Sequence, residues 1–216
     1  MEFNLLKQAV VVSVSLEISD KLDQFDCDDK HINKFFKKKA MDFSSQFLSR
    51  SFCFINKDNL DDVICVYCLS NDSVNLTGLP LEIKKRFQNK FPRGKGLTSY
   101  PAIKIGRLGV RKSYSDGGAH IGTQLLDYIK YKCLEYGVNS ACRYLVVDSY
   151  NKDKNLSFYK SNGFDFLMDE EDEKRVNGLD SRDKLETRFM VFDLQKYYLE
   201  RKKESEAHAI TGARPE

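Results

Sequence analysis

The chain has 216 residues, of which 41% are hydrophobic and 31% charged, and its formal net charge is +3. This length suits one ordinary domain with a substantial core, and no apolar run approaches the roughly 20 residues that span a bilayer. The N-terminal stretch has neither a basic region nor a small-residue cleavage site. We therefore expect a cytoplasmic protein with no secretion signal and no membrane partner.

The cysteines and histidines do not predict a disulfide framework or a metal site. Cys65 and Cys68 form a C-x-x-C pair within "VICVYCLS", which reads as a buried strand. A spacing of three residues on a strand places the two thiols on opposite faces, so we interpret both as core residues. The three histidines are scattered along the chain, and no metal is expected.

Charge is unevenly distributed along the chain. Between residues 84 and 115 there is no acidic residue, whereas the segment 165–186 is acidic and contains "DEEDE". We interpret the acidic segment as a solvated face. The basic run leads into a glycine-rich turn and is a candidate surface for an anionic partner. Its members are Lys84, Lys85, Arg86, Lys90, Arg93, Lys95, Lys104, Arg107, Arg111 and Lys112.

The first half of the chain predicts a strand, a helix and a hairpin. "VVVSVSLE" alternates as a half-buried strand does, with Leu16 as its last apolar position. "DDKHINKFFKKKAMDF" places its apolar residues on one helical stripe, with Asp28 or Asp29 as the cap. "RSFCFI" and "DVICVYCLS", joined by "NKDN", predict a β-hairpin.

The second half predicts a bulged strand followed by alternating helices and strands. In "AIKIGRLGV" the apolar phase changes at a glycine, which favours a β-bulge. The helix after the glycine turn carries an apolar stripe and stops at Gly137; the stripe consists of Ile121, Leu125, Ile129 and Cys133. "ACRYLVVD" is a buried central strand, and the helix "NLSFYKSNG" stops at Gly163. "FDFL" and "RFMVFDL" are the last two strands. This order predicts one α+β domain over residues 1–199, followed by a disordered charged tail over residues 200–216.

A glycine-rich turn, "GGAHIGT" from Gly117 to Thr123, precedes the longest predicted helix. Free amides and the positive end of the helix dipole make such a turn a seat for a phosphate group. It lacks the G-K-[ST] of a Walker loop and does not match G-x-G-x-x-G. An anion other than a nucleoside triphosphate is therefore expected here.

The bulged strand, the glycine turn, the buried strand and "NLSFYKSNGF" together resemble the GNAT superfamily of acetyltransferases, from about residue 101 to residue 164. The resemblance implies an α+β fold with a mixed, mostly antiparallel sheet that is flanked by helices. In that fold a β-bulge splays one strand from its neighbour. The resemblance also implies acetyl-CoA as the cofactor.

The resemblance assigns candidate site residues. Leu108, Gly109 and Val110 would contact the pantetheine arm and the thioester carbonyl, and Asn155 would bond the pantetheine. Tyr159 would face the thiolate and act as the catalytic general acid. The pyrophosphate would lie on the backbone amides of Gly117, Gly118, Ala119, His120, Ile121, Gly122 and Thr123.

The turn departs from the family pattern [QR]-x-x-G-x-[GA] at two positions. Gly117 stands where the family has glutamine or arginine, and His120 stands where it has the middle glycine. The first change removes a side-chain contact, and the second places an imidazole where backbone meets phosphate. Arg111 and Lys112 are candidates to replace the lost contact.

We predict an N-acetyltransferase that transfers acetyl from acetyl-CoA to a primary amine of a small molecule or protein. "FDCDDKHINKFFKKKAMDFSSQFLSRSFCF" and "YPAIKIGRLGV" resemble the subgroup that includes acetyltransferase toxins of toxin–antitoxin pairs. That implies aminoacyl-tRNA as the alternative acceptor, which we place second because the near-neutral charge is not that of a dedicated RNA binder. A GNAT fold that binds acyl-CoA or a partner without catalysis is a further alternative. A homodimer is left open.

Overall fold

The computed structural model describes residues 3–90, 97–115, 118–136 and 141–211. Helices in these ranges are α1 (Leu5–Gln8), α2 (Leu16–Asp23), α3 (Lys30–Lys38), α4 (Ala40–Ser45), α5 (Leu81–Gln88), α6 (Lys112–Ser115), α7 (Ile121–Tyr136), α8 (Asp153–Ser161), α9 (Glu170–Val176) and α10 (Leu194–Thr211). The strands are β1 (Ala9–Ser13), β2 (Arg50–Asn56), β3 (Asn59–Asn75), β4 (Ser99–Val110), β5 (Tyr144–Tyr150), β6 (Asp165–Phe166) and β7 (Thr187–Asp193). None of the described helices combines the length and the apolar character that crossing a membrane requires.

The strands are hydrogen-bonded in the order β1-β2-β3-β4-β5-β7-β6. β1 pairs with β2, β2 with β3, β5 with β7, and β6 with β7, each pair antiparallel. The predicted α+β class with a mostly antiparallel sheet is confirmed. The predicted hairpin is β2 and β3, and their register shifts on either side of Ile55.

The chain divides into two compact units. The first comprises Met1–Asp72 and Ile103–Ile129, and the second Ser73–Ala102 and Lys130–Glu216. β3, β4 and α7 each contribute residues to both units. The single domain expected over residues 1–199 stays a prediction.

The core of the first unit forms around α2, α3 and the hairpin. The side chains of Leu22, Phe25, Phe35 and Phe36 are buried there, together with Cys68 of β3. Apolar residues at positions 32, 35 and 36 fall on one face of α3, as the sequence predicts. The Asp29 carboxylate accepts hydrogen bonds from the backbone amides of His31 and Ile32 at 2.8 and 3.0 Å, so Asp29 is the cap.

The sequence prediction was wrong at Leu16, which begins α2 instead of ending β1. Ser15 is extended and its carbonyl accepts the amides of Ile18 and Ser19, so the chain turns into a helix directly after Val14. Leu16 is 76% exposed. The apolar alternation therefore continues to Leu16, three residues beyond the end of β1 at Ser13.

The core of the second unit contains aromatic residues of α5, β4 and β5. Phe87, Tyr100 and Tyr144 are buried with their rings within 6.2 Å of one another. The four residues from Tyr144 to Val147 are all buried, as predicted for a central strand. α8 ends at Ser161, which confirms the helix predicted to stop before Gly163.

The burial phase of β4 changes once along the strand. Tyr100 and Ala102 are buried, and then Ile105 and Gly109. The alternation of buried residues therefore changes phase between residues 102 and 105. The sequence placed this change later, at the glycine between Ile105 and Leu108. The β-bulge and the splay of this strand stay predictions.

The C-terminal segment begins within α10, and the disordered charged tail expected over residues 200–216 stays a prediction. α10 continues through Thr211, and residues 212–216 lie outside the described ranges, as does the predicted helix stop at Gly137. Much of the segment 200–216 therefore extends a helix. Its sequence alternates acidic and basic residues at helical spacing, such as Lys196 with Glu200 and Lys202 with Glu206.

Candidate functional site

The end of β4 is packed tightly within the first unit. A Cβ atom built on Gly109 would lie 3.0 Å from both Cys27 Sγ and Ile32 Cγ2, which is tighter than most Cβ contacts. A larger residue at this position would require Cys27 or Ile32 to shift, so glycine suits the close passage of β4 past the start of α3. Leu108 and Val110, the other two candidates on this strand, are half-buried.

Arg111 and Lys112 follow β4 and are both held by protein groups. The Arg111 guanidinium forms an ion pair with Asp62 and donates to the Gln24 carbonyl at 2.8 Å. The Lys112 ammonium lies 3.5 Å from the Asp28 carboxylate. The structure therefore does not favour them as replacements for the missing family side chain, because each already has an anionic partner.

Asp62 is the centre of a network that the sequence did not reveal. Its two carboxylate oxygens accept from Arg111 and from the Tyr114 hydroxyl. The Asn56 amide donates to the Tyr114 oxygen at 3.2 Å. Burial, followed by the hydrogen bond to Asp62, raises the pKa of Tyr114 above its ordinary value. The network fixes α6, which links β4 to the glycine-rich turn.

The glycine-rich turn contains a residue other than glycine that has a positive φ. Gly117 lies outside the described residues. Gly118 has a φ of +74° and His120 a φ of +48°. Positive φ is uncommon for residues other than glycine, although histidine is among those enriched there. His120 thus adopts the backbone region that the family's glycine adopts freely, and its side chain is exposed.

The start of α7 has the geometry of an anion seat. The His120 carbonyl accepts from the amides of Thr123 and Gln124 at 2.9 and 3.1 Å, so His120 caps the helix. The amides of Ile121 and Gly122 precede the first intrahelical donors, and they carry the positive end of the helix dipole. Ile121 is buried and anchors this turn, and Gly122 is half-buried.

Gln124 also holds this turn, and sequence reasoning missed it. Its Nε2 donates to the Ala119 carbonyl at 2.6 Å and to the Phe3 carbonyl at 3.0 Å. Its Oε1 accepts from the Leu5 amide at 2.7 Å. The signal in the sequence is weak, because a polar residue at the fourth position of a helix usually faces solvent.

The remaining candidates, Asn155 and Tyr159, lie on α8 in the second unit. Four residues apart on a helix, they face the same side. The Tyr159 side chain is 8% exposed, and its ring contacts Phe158 and Phe164 edge-on at 5.1 and 5.4 Å. Burial alone raises the pKa of Tyr159 well above its usual range, so its hydroxyl stays protonated.

The described members of the basic run are divided between the two units. Residues 84–90 belong to the second unit and residues 104–112 to the first, while Arg93 and Lys95 lie outside the described residues. Most of the described members have protein partners: Arg86 with the Leu167 carbonyl, Lys90 with Asp193, Lys104 with Asp72, Arg107 with the Phe35 ring, Arg111 with Asp62 and Lys112 with Asp28. Four of these partners are carboxylates, and the other two are a backbone carbonyl and an aromatic ring.

A different basic surface lies on α3. Lys30, Lys34 and Lys38 follow one another at four-residue intervals and are exposed, and α3 contains no acidic residue. Within the described parts of the chain, no ion pair involves these three lysines. We call them the α3 lysine row.

The fold has counterparts among solved structures. No protein-family model and no curated protein matches the sequence. A tyrosine-to-phenylalanine variant of KacT is 20% identical, with 88% of this chain and 96% of that chain covered and a TM-score of 0.68. AtaT complexed with acetyl-methionyl-tRNAfMet is 19% identical, with 88% and 98% covered and a TM-score of 0.68.

A third solved structure is also similar to this chain. AtaTR bound with AcCoA is 20% identical, with 89% of this chain and 98% of that chain covered and a TM-score of 0.65. KacT and AtaT are acetyltransferase toxins with the GNAT fold. The likeness therefore confirms the fold that the sequence predicts: this chain has the GNAT fold.

Proposed function

We propose that this protein is an acetyl-CoA-dependent N-acetyltransferase of the toxin type, and that its acceptor is the amino group of aminoacyl-tRNA. The observation that carries the proposal is the likeness of fold, over nearly nine-tenths of the chain, to AtaT with AcCoA and AtaT with acetyl-methionyl-tRNAfMet. The acceptor that the sequence placed second is therefore preferred to a small-molecule or protein amine. Cytoplasmic location and a homodimer stay predictions.

The residues at the start of α7 suit the pyrophosphate of acetyl-CoA. The amides of Ile121 and Gly122 supply donors, and the exposed Gly118 has open space where a side chain would be. The exposed His120 imidazole would add a positive charge when protonated. Residues 108–110 and Asn155 are proposed to bind the pantetheine arm, as the family resemblance implies.

The chemistry assigns one proton transfer to Tyr159. Bound acetyl-CoA supplies an acetyl thioester, whose C–S bond breaks as the bond between the acceptor nitrogen and the acetyl carbon forms. Tyr159 holds a proton at its hydroxyl at neutral pH and would give it to the departing sulfur, although burial raises the pKa of Tyr159 and makes this proton harder to release. The backbone amide of Val110 would polarise the acetyl carbonyl. The acceptor would attack as the neutral amine, the proton it loses would pass to water, and a proton from water would restore Tyr159.

The α3 lysine row supports a polyanionic acceptor. Like charges four residues apart destabilise a helix by about 0.2–0.5 kcal/mol per pair. The row contains two such pairs, and binding a polyanion would offset their repulsion. Contacts between lysines and phosphates increase affinity without reading sequence, which suits recognition of a tRNA backbone.

The experiment that tests the proposal follows labelled acetyl groups. The purified protein is incubated with acetyl-labelled acetyl-CoA and a cell extract, which is then separated into RNA, protein and small-molecule fractions. We expect label in the RNA, released when the aminoacyl ester is hydrolysed. Label only in protein or in small amines would contradict the acceptor, and acetyl-CoA binding without any transfer would contradict the enzyme.

A charge variant tests the acceptor surface. Replacing Lys30, Lys34 and Lys38 by glutamine should raise the KM for aminoacyl-tRNA at least tenfold, because three phosphate contacts are removed. Transfer to a small amine should stay unchanged. The matched control replaces Lys196, Lys202 and Lys203, three exposed lysines of α10, by glutamine. An equal effect of the control would show that net charge alone matters.

A further inference from the structure

A strap made of residues 3–5 crosses the first unit beside the glycine-rich turn. Gln124, on the first turns of α7, bonds the backbone of this strap at two points, the Phe3 carbonyl and the Leu5 amide. The same side-chain amide donates to the Ala119 carbonyl at 2.6 Å. One side chain therefore ties the strap to the turn, although 119 residues separate Leu5 from Gln124.

The strap has a second attachment, on the other side of the turn in sequence. The Phe3 ring packs edge-on against the Tyr114 ring, with centroids 5.3 Å apart. Tyr114 is itself bonded to Asp62 and Asn56. The strap thus contacts Tyr114, which precedes the turn, and Gln124 of α7, which follows it.

The turn needs external support. Gly118 and His120 both have positive φ, and a residue other than glycine pays about 1–2 kcal/mol for this conformation. Such a conformation persists when the surrounding structure determines it. Ala119, between these two residues, is buried and is the residue whose carbonyl Gln124 holds.

We propose that Gln124 is a positioning residue for acetyl-CoA. The strap of residues 3–5 holds the Gln124 side chain, and Gln124 in turn holds the glycine-rich turn in the conformation that binds the cofactor. The inference rests on the proposed function, since it concerns the pyrophosphate seat at residues 118–123. Gln124 itself points at protein backbone, so it acts through the turn and not by touching the cofactor. Its three hydrogen bonds, two donated and one accepted, are all made to the protein.

The test replaces Gln124 by methionine, which keeps the length of the side chain and removes all three hydrogen bonds. We expect the Kd for acetyl-CoA, measured by calorimetry, to rise about tenfold, which equals about 1.4 kcal/mol. The kcat at saturating acetyl-CoA should change less than twofold, because Tyr159 and the acceptor surface are untouched. Gln88→Met on α5 is the matched control and should leave both quantities unchanged.

Hydrogen exchange gives a readout that does not depend on catalysis. The amides of Thr123 and Gln124, which bond the His120 carbonyl, and the amide of Leu5, which bonds the Gln124 side chain, should exchange faster in the Gln124→Met protein, while those of β5 stay protected. An unchanged Kd together with unchanged exchange would overturn the strap and leave the proposed function standing. If the unmodified protein binds no acetyl-CoA, the proposed function fails, and faster exchange in the variant would still support the strap.

Discussion

Arg188 donates through Nε to the Glu173 carboxylate at 2.7 Å, and each residue is only 5% exposed. The other carboxylate oxygen of Glu173 accepts the Phe189 amide at 2.7 Å. The Arg188 guanidinium also donates to the Met168 carbonyl at 3.1 Å. This buried pair fastens α9 to β7, so the acidic segment, interpreted from sequence as a solvated face, also carries a structural ion pair.

Glu173→Gln should lower the free energy of unfolding by about 3 kcal/mol, because the buried Arg188 charge loses its close partner and keeps only the Glu170 carboxylate at 3.8 Å. The measurement is urea denaturation followed by circular dichroism. Glu171, an exposed neighbour on the same helix, gives the control Glu171→Gln, whose midpoint should stay unchanged. Equal midpoints for both variants would show that the buried pair does not stabilise the fold.

The pair formed by Arg143 and Asp193 predicts a dependence of stability on pH. Burial acts to raise the pKa of Asp193, but the hydrogen bonds and charge of Arg143, with help from Lys90, bring it below the ordinary value. A lowered folded-state pKa stabilises the protein above the unfolded value of about 3.9, and the stability is lost as pH falls through the folded-state pKa.

Asp193→Asn should therefore destabilise the protein by about 1–3 kcal/mol at pH 7. The difference from the unmodified protein should shrink as pH falls below about 4. Urea midpoints measured at pH 7, 5 and 3 test this. A difference that is constant across these pH values would show that the Asp193 charge is not involved.

Gly122→Asp should abolish measurable acetyl-CoA binding, because a carboxylate on the first turn of α7 would repel the pyrophosphate. An acidic residue at a helix start does not disfavour the helix, so the fold should persist. Gly122→Asn adds a side chain of the same size without the charge and should retain part of the affinity. Full affinity in the aspartate variant would disprove the pyrophosphate placement.

Tyr159→Phe should reduce turnover at least tenfold while the Kd for acetyl-CoA stays within a factor of two. The ring keeps its contacts with Phe158 and Phe164, and only the proton donor is lost. Tyr198→Phe, at an exposed position on α10, is the control and should be fully active. Equal turnover in both variants would favour the reading of the chain as a binding protein without catalysis.

His120 gives a prediction about backbone conformation. His120→Gly should change the free energy of unfolding by no more than about 1 kcal/mol. Glycine removes the backbone strain at positive φ but loses more conformational entropy on folding, and these two effects are of similar size. His120→Val should destabilise the turn more, because a β-branched residue is an outlier at this φ. Calorimetric affinity for acetyl-CoA should follow the same order. Equal free energies of unfolding and equal affinities in the two variants would contradict this prediction.

Local patterns in the sequence were sufficient for much of the fold. The stripe on α7 at Ile121, Leu125, Ile129 and Cys133 is buried as predicted, because period and burial are set by the same face of one helix. β5 was recognisable from continuous apolar character, since both of its faces are covered. The family resemblance supplied the candidate residues, and the general-acid role of the buried Tyr159 stays a prediction.

The elements that the sequence missed depend on contacts between distant residues. Glu173 is acidic and would be solvated on an isolated helix, and only its pairing with Arg188 explains its burial. Gln124 reveals its role only when the backbone of residues 3–5 is in place. A sequence shows charges without their partners, so it did not reveal that Arg111 of the basic run pairs with Asp62.

His120 separates two kinds of information that a motif normally carries together. A family pattern is written in residue letters, and the glycine it specifies stands for a torsion angle. Here the letter is histidine, and the φ of +48° lies in the region that glycine adopts without strain. A motif written in residue letters therefore misses a chain in which histidine, which tolerates positive φ better than most residues, holds such a position.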